Sequence, residues 1–257
     1  MHKLTNASTG ALRRRGPEIS VVVPVYRNAA TLRELHDRLS PLLTALRHSY
    51  ELVFVDDACP EGSLNILKEL TQVDAHVAVL ELERNMGQQW AVLVGLAHSR
   101  GERLVVLDAD LQDSPEAIPD LLAKLQEGFA AVFAGRRGRY ESPLRLLSSR
   151  MFKGLLHLLC GVPSDAGLFV VMTRHMSERL LTLGSPNPHL LAMIGCTRLP
   201  TISIPVVRVP RQTGRSGHSS WARFRLALSA VTFVLSCRLR PNRKSSNHQI
   251  DEIAIRN

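Results

Sequence analysis

The residues best suited to chemistry are carboxylates, and two of them stand two positions apart in Asp108-Ala109-Asp110. A short apolar run over 103–107 reads as a strand and delivers them at its end. Leu111-Gln112-Asp113-Ser114-Pro115-Glu116 follows, with the proline suited to the first turn of a helix. Two carboxylates at a strand end can both reach one hard divalent cation. Mg2+ or Mn2+ favours such oxygen ligands and keeps positions for phosphate oxygens. A bare D-x-D pair also occurs as a helix cap, but the strand before it and the proline after it favour the metal. A second pair, Asp56-Asp57, closes the run over 51–55. A carboxylate there can accept from a nucleobase N–H. Asp57 is expected to read a base and Asp56 to be structural, the alternative being that one of them only caps the next helix.

Positioning these groups requires a regular frame. Continuous apolar runs predict buried strands over 19–25, 51–55, 77–82, 103–107 and 130–134. Between them, helical spacing covers 29–46, 63–73, 88–98 and 115–127, with Ser63 as an N-cap and small residues in 88–98 suited to close packing on a sheet. Strands alternating with helices mean an α/β protein with a doubly wound, mostly parallel sheet. Ligands bind such sheets beyond the carboxyl ends of the strands. Tyr26, Asp56-Asp57, Asp108 to Asp110 and Gly135-Arg136 all fall at such ends. After Arg136 the pattern changes to helices over 144–159, 177–183 and 189–194, strands over 167–172 and 202–209, and a Gly/Ser-rich loop over 211–220. A C-terminal amphipathic helix covers 221–238. The expected division is a disordered basic leader (1–17), the α/β domain (18–215), an interfacial amphipathic helix (216–240) and a tail (241–257).

At 257 residues and 45% hydrophobic, the chain can bury a sizeable core, and its composition is neither fibrous nor disordered. Net charge is +9, with most acids in the first half, so the second half is the part expected to face something anionic. None of the four cysteines, Cys59, Cys160, Cys196 and Cys237, forms a CxxC pair, which disfavours a zinc knuckle. Scattered thiols fit a reducing compartment. No signal peptide is read, and no apolar run reaches the length of a bilayer span. The segments 144–159 and 221–237 mix basic and apolar residues at helical spacing. The second is expected to lie at a membrane surface, with core packing the competing reading, and for the first the two readings stand level. Aromatic residues make up 5%, and no RNA-binding aromatic motif or DNA-reading helix is present, so nucleic acid is not the expected partner.

Taken together, Val21-Val22-Val23-Pro24-Val25-Tyr26, the run from Val55 to Ser63, Arg84-Asn85-Met86-Gly87-Gln88 and Gly101 to Glu116 carry a resemblance, continued by Asp165-Ala166-Gly167 and Arg211 to Ser216. Over about residues 18–238 the chain resembles family 2 glycosyltransferases of the GT-A fold, and within them polyprenyl-phosphate glycosyltransferases such as dolichyl-phosphate mannose synthase. The resemblance implies an inverting transfer of sugar from a UDP- or GDP-sugar to a polyprenyl phosphate, with the enzyme peripheral at the cytoplasmic membrane face. It implies that Pro24, Tyr26 and Asp57 hold the nucleoside, and that Asp108, Asp110 and Gln112 hold the metal and diphosphate. Arg136, Arg150 and Arg211 would meet phosphates, and Asp165 would lie by the transferred sugar or acceptor. A lipid phosphate is already anionic and needs no general base, whereas a hydroxyl acceptor would need one, for which Asp165 is the best candidate. The chain departs from the lipid-phosphate pattern at Val170 and Gly217, where relatives carry arginine and lysine, and Arg215 and Arg174 could compensate. Transfer to a hydroxyl on a small molecule or glycan is therefore the alternative. A non-catalytic nucleotide-sugar sensor is disfavoured by the intact D-x-D stretch.

Overall fold

The apolar run Ile19–Val25 forms a strand, β1, buried along its whole length. The computed structural model describes residues 16–137, 143–185, 187–207, 220–239 and 255–256. After β1 come helix α1 (Leu32–Ala45), entered through a 3-10 turn, β2 (Tyr50–Asp56), α2 (Ser63–Val73), β3 (Val77–Leu82) and α3 (Gln88–His98). Next are β4 (Arg103–Val106), α4 (Ile118–Leu125), again after a 3-10 turn, β5 (Ala131–Arg137) and α5 (Pro143–Cys160). The chain continues through β6 (Val170–Thr173), α6 (Arg174–Leu183), α7 (Leu190–Cys196), β7 (Thr201–Val207) and α8 (Ser220–Leu239). Ile255–Arg256 forms β8, two residues paired with the outer side of β3 in the segment read from sequence as a tail.

The strands form one sheet in the order β7-β5-β6-β4-β1-β2-β3-β8. Pairings β1–β2, β1–β4, β2–β3 and β5–β7 are parallel. Strand β6 runs antiparallel to both β4 and β5, which sequence periodicity does not reveal. The chain winds outward from β1 through β2 and β3, then returns to place β4 on the other side of β1. The crevice between the carboxyl ends of β1 and β4 is thus the point where the winding reverses, the favoured ligand site of such sheets. Reversal of β6 has a consequence for the same edge: its entry, not its exit, lies there, so the loop before it is delivered beside the ends of the parallel strands.

Alternation along the central strands sends side chains to two separate cores. Val22, Leu104, Val106, Phe133, Val170 and Met172 join a core covered by α3 and α5 to α8. Val21, Val23, Val105, Val132 and Val171 join one covered by α1, α2 and α4. Pro24 is tolerated within a central strand because its ring nitrogen faces β4, whose last pairing with β1 is at Val22–Val106. Helix α2 begins differently from the sequence expectation. Gly62, at φ 76°, occupies the N-cap, and Ser63 is the first helical residue, its hydroxyl donating instead to Cys59 Sγ at 3.0 Å.

Polar clamps close the opposite, amino-terminal edge. Buried Glu51 accepts from Ser20 Oγ, from the Arg100 amide and from the Arg100 guanidinium at 2.7 to 2.9 Å, so its charge is paired on both oxygens. Asp74 accepts from His36, Ser40 and His76, joining α1 to the loop before β3. Those hydrogen bonds outweigh its partial burial and hold its carboxyl at about 2.

Helix α3 lies so close to the sheet that a Cβ on Gly95 would come within 2.4 Å of Val22 Cγ1 and 3.0 Å of Val55 Cγ2. Both valines are buried and β-branched, with little freedom to turn away. Gly95→Ala is expected to destabilise the protein by about 1–3 kcal/mol despite the better helix propensity of alanine. An unchanged midpoint in denaturant unfolding would refute this packing argument.

Candidate active site

Three strand ends make the carboxyl edge in the same way. Arg27, Ala58 and Leu111 follow β1, β2 and the Asp108-Ala109-Asp110 segment, with φ of 58°, 50° and 58°. Left-handed backbone at residues bearing a Cβ costs about 1–2 kcal/mol each, so tertiary contacts must hold it. They do. The Arg27 amide donates to Cys59 Sγ at 3.1 Å, the Cys59 amide to Asp56 Oδ2 at 3.3 Å, and the Gln112 amide to Asp110 Oδ1 at 3.1 Å. Arg47 and Arg198 share the conformation for a simpler reason, each sitting just past a helix end.

The acidic loop after β4 is held from both sides of the sheet. Thr31 Oγ1, from the turn before α1, donates to Ala109 O at 2.6 Å, between the two aspartates. Gln88 Nε2, at the first residue of α3, donates to Asp108 Oδ1 at 2.5 Å. At the far end of the loop, Arg38 of α1 grips Glu116 through Nε at 3.0 Å and Nη2 at 2.7 Å, and the same nitrogen reaches Ser114 Oγ at 3.4 Å. The Arg38 guanidinium holds the Glu116 carboxyl down at about 2. Ala109 and Leu111 point into the core, while Asp108, Asp110 and Gln112 stay partly exposed. Apolar anchors thus alternate with polar groups left at the surface of the edge.

Asp57 is engaged by the turn that leads into α3. It is 1% exposed, and its two oxygens accept from the backbone amides of Met86 and Gly87 at 2.6 and 2.9 Å. In this arrangement it pins the turn leading into α3. Burial raises its carboxyl, and the two amide bonds oppose that rise. Asp56 is 2% exposed and accepts from the Cys59 amide. Burial pushes it up to about 6, with the Glu81 and Asp57 charges adding to the effect and the Cys59 amide opposing it. Its Oδ1 is buried without a hydrogen-bond partner. The exposed aromatic at the edge is Tyr26, with the Arg27 guanidinium 5.4 Å from its ring centre.

Asp165 joins the edge through the loop before β6. Its Oδ1 accepts from Ser203 Oγ of β7 at 2.7 Å, and Oδ2 rests on β5 where only glycine leaves room: a Cβ on Gly135 would lie 2.3 Å from it. Arg136 follows Gly135 in β5, opposite Val206, and Arg150 lies in α5; the side chains of both fall outside the described structure. Arg211 and Arg215 lie outside the described residues. Arg174, a candidate replacement cation, instead donates to the Gly101 carbonyl at the other edge of the sheet. Val170 is fully buried in β6 between β4 and β5, so that position contributes only packing. Sequence reading missed Thr31, Arg38, Gln88 and Ser203, because uncharged or surface polar residues acquire these roles only through partners 20 to 78 positions away.

Asp108, Asp110 and Gln112 are partly exposed on one acidic loop, and their side chains carry hard oxygen donors. Among the described residues no group of three or more His, Cys, Asp or Glu side chains is placed to hold a metal. A pair of carboxylates fits a cation of the Mg2+ type, which completes its shell with water and ligand phosphates.

The chain is a family 2 glycosyltransferase: residues 20–182 match the family model described as Glycosyl transferase family 2. It is 32% identical over 225 residues to undecaprenyl-phosphate 4-deoxy-4-formamido-L-arabinose transferase from Shewanella sediminis, covering 86% of this chain and 68% of that protein. It is 30% identical over 218 residues to the uncharacterized glycosyltransferase YkcC from Bacillus subtilis, covering 84% and 68%. The fold is also that of glucosyl-3-phosphoglycerate synthase from Mycobacterium tuberculosis, solved with Mn2+, UDP-glucose and glycerol 3-phosphate (TM-score 0.59, 21% identity, 86% of this chain and 80% of that one). Mannosyltransferase PcManGT from Pyrobaculum calidifontis, solved with GDP-Man and Mn2+, is equally similar (TM-score 0.59, 21% identity, 90% and 67%). The GT-A-like fold expected from sequence is therefore the fold found.

The Asp56 carboxyl has its ordinary value of 3.8 in the unfolded chain and about 6 in the native one, so only the native state keeps the proton between roughly pH 4 and pH 6. The resulting penalty on folding is absent below that window and complete above it. Asp56→Asn is expected to match wild-type stability near pH 4 and to exceed it by about 2 kcal/mol above pH 7. A difference between the two proteins that stays flat across this range, measured by urea unfolding, would contradict the assignment.

Proposed function

We propose that the chain transfers a sugar from a UDP- or GDP-sugar to a polyprenyl phosphate at the cytoplasmic face of a membrane, with inversion at the transferred carbon. The observation that carries this reading is the acidic loop fixed at the crevice between β1 and β4, in a chain that is 32% identical to an enzyme named for undecaprenyl phosphate. Two solved proteins of the same fold hold nucleotide sugars together with Mn2+.

In this reading Asp108, Asp110 and Gln112 hold Mg2+ or Mn2+. When bound, the ion neutralises charge growing on the departing diphosphate. Pro24 and Tyr26 border the nucleoside, with Tyr26 offering an exposed ring face. Asp57 acts on the nucleoside indirectly, by fixing the turn at Met86-Gly87 that starts α3 and sets Gln88 against Asp108. Arg136 and Arg211 meet the donor phosphates, and Arg150, Arg211 and Arg215 the acceptor phosphate, since guanidinium forks pair with phosphate oxygens. A lipid phosphate attacks as an anion, so Asp165 orients groups and takes no proton. The outward leucines of the second helical layer, Leu155 and Leu158 on α5 and Leu228 and Leu235 on α8, support membrane contact. No helix among the described residues is long and apolar enough to cross a membrane. Ala230, Phe233 and Val234 of α8 pack into the core, so this helix is a packing element on one side.

A second reading rests on Val170 and Asp165. The buried valine supplies no cation for an acceptor phosphate, and Asp165 is a partly exposed carboxylate held by Ser203. Those features suit a hydroxyl acceptor whose proton Asp165 removes.

A panel of UDP- and GDP-sugars incubated with polyprenyl phosphate, Mn2+ and the protein is expected to yield a lipid-linked sugar. Asp110→Ala or excess chelator should cut the yield by about 100-fold or more. Full turnover in chelator would exclude the metal role. Turnover of a soluble alcohol instead, abolished in Asp165→Asn, would replace the lipid acceptor with the hydroxyl one.

Thr31→Val removes the donor to Ala109 O while keeping the side chain's shape. It is expected to weaken Mn2+ binding, read by EPR titration, by about 10-fold, with at most about 1 kcal/mol lost in stability. Unchanged Mn2+ affinity together with a lowered Tm would make Thr31 a fold residue only.

A further inference from the structure

Three of the four cysteines, scattered in sequence, come together in space. Cys160 ends α5, Cys196 ends α7 and Cys237 lies near the end of α8, and all three line one cavity of about 540 Å3. His157, Leu158, Arg198 and Val234 complete much of its wall. Each thiol is partly exposed. The cavity belongs to the outer helical layer. The C-terminal end of α7 leads into Thr201, which pairs with the first residue of β5, at the end of the sheet opposite the acidic loop. None of these cysteines takes part in the catalytic edge.

The three thiols are not equivalent. Cys160 donates to the Leu156 carbonyl at 3.1 Å, and a Cβ on Gly195 would lie 2.5 Å from its sulfur, so it is wedged against α7 with its proton engaged by its own helix. Cys196 hydrogen-bonds Cys237 across the α7–α8 contact, and that bond, helped by burial, holds the Cys196 thiol far above the usual range. Thiols that serve only as small apolar side chains are buried; here two of them touch at the wall of an open cavity.

We propose that Cys196 and Cys237 form a reversible modification site, a dithiol that a low-molecular-weight disulfide such as oxidised glutathione converts to a bridge joining α7 to α8. The Cys237 thiolate attacks one sulfur of the reagent, the reagent's S–S bond breaks, and the released thiolate takes up a proton. The Cys196 sulfur then attacks the mixed disulfide at Cys237, loses its proton to the second departing thiolate, and closes the bridge. The protein is oxidised by two electrons and the reagent is reduced to two thiols. The bridge encloses β7 and the stretch containing Arg211 and Arg215, so it ties the second helical layer to the chain that carries those cations.

The full chain is incubated with excess oxidised glutathione, quenched in acid and alkylated, then analysed by intact mass and peptide mapping. Wild-type protein is expected to lose two hydrogen atoms, to yield a Cys196–Cys237 cross-linked peptide and to return to the dithiol with reductant. Tm should rise by roughly 5 °C in the oxidised form. Cys160→Ser should still form the bridge, and Cys196→Ser should retain a glutathione adduct on Cys237. Alkylation of both thiols after oxidation, a persistent adduct in the wild type, or a cross-link that involves Cys160 would overturn the proposal; the wild-type measurement suffices even if a variant fails to fold.

Discussion

Carboxylates crowded along one edge of a sheet repel one another, and most of the structure around this edge serves to hold that repulsion in check. Each acid is settled by a different means. Asp57 is held by two backbone amides, Asp108 is oriented by a side-chain amide, Asp110 folds back on its own loop, and Asp165 leans on a serine. Asp56, with one oxygen left unsatisfied, instead keeps its proton to about pH 6. Neutral donors orient a carboxylate without cancelling its charge.

The holding elements come from both sides of the sheet. The turn before α1 anchors the acidic loop at its start through Thr31, α1 anchors its finish through Arg38, and α3 reaches it with Gln88. Because α3 sits nearly in contact with β1 and β2, its first residue is placed by packing more than by local preference. The left-handed residues at three strand ends carry strain that only these contacts can sustain. The placement of Gln88 against Asp108 therefore depends on the packing under α3.

The second helical layer has a different character. Strand β6 runs against its neighbours, and the return from α5 brings Asp165 to the acidic edge while α5 itself packs with α7 and α8. This layer buries one side of α8, turns leucines outward on the other, and gathers three thiols at its far end. The thiols thereby lie at the end of the sheet opposite the acids.

Much of this was legible in the residues themselves. Buried runs and helical spacing located nearly every element, since hydrophobic periodicity is a local signal, and the strand ends marked Tyr26, Asp56-Asp57 and Asp108 to Asp110 as neighbours. What the sequence could not determine was everything that depends on partners distant along the chain. The direction of β6 follows from which edge α5 returns to, and apolar runs read the same in either direction. Asp57 became an anchor because the turn at Met86-Gly87 passes over it, and Thr31, Gln88 and Ser203 gained roles from contacts that leave no local pattern. Left-handed backbone at Arg27, Ala58 and Leu111 is unsignalled because neither glycine nor asparagine stands there. Spacing along the chain showed four separate cysteines, and only the meeting of three helices made three of them neighbours.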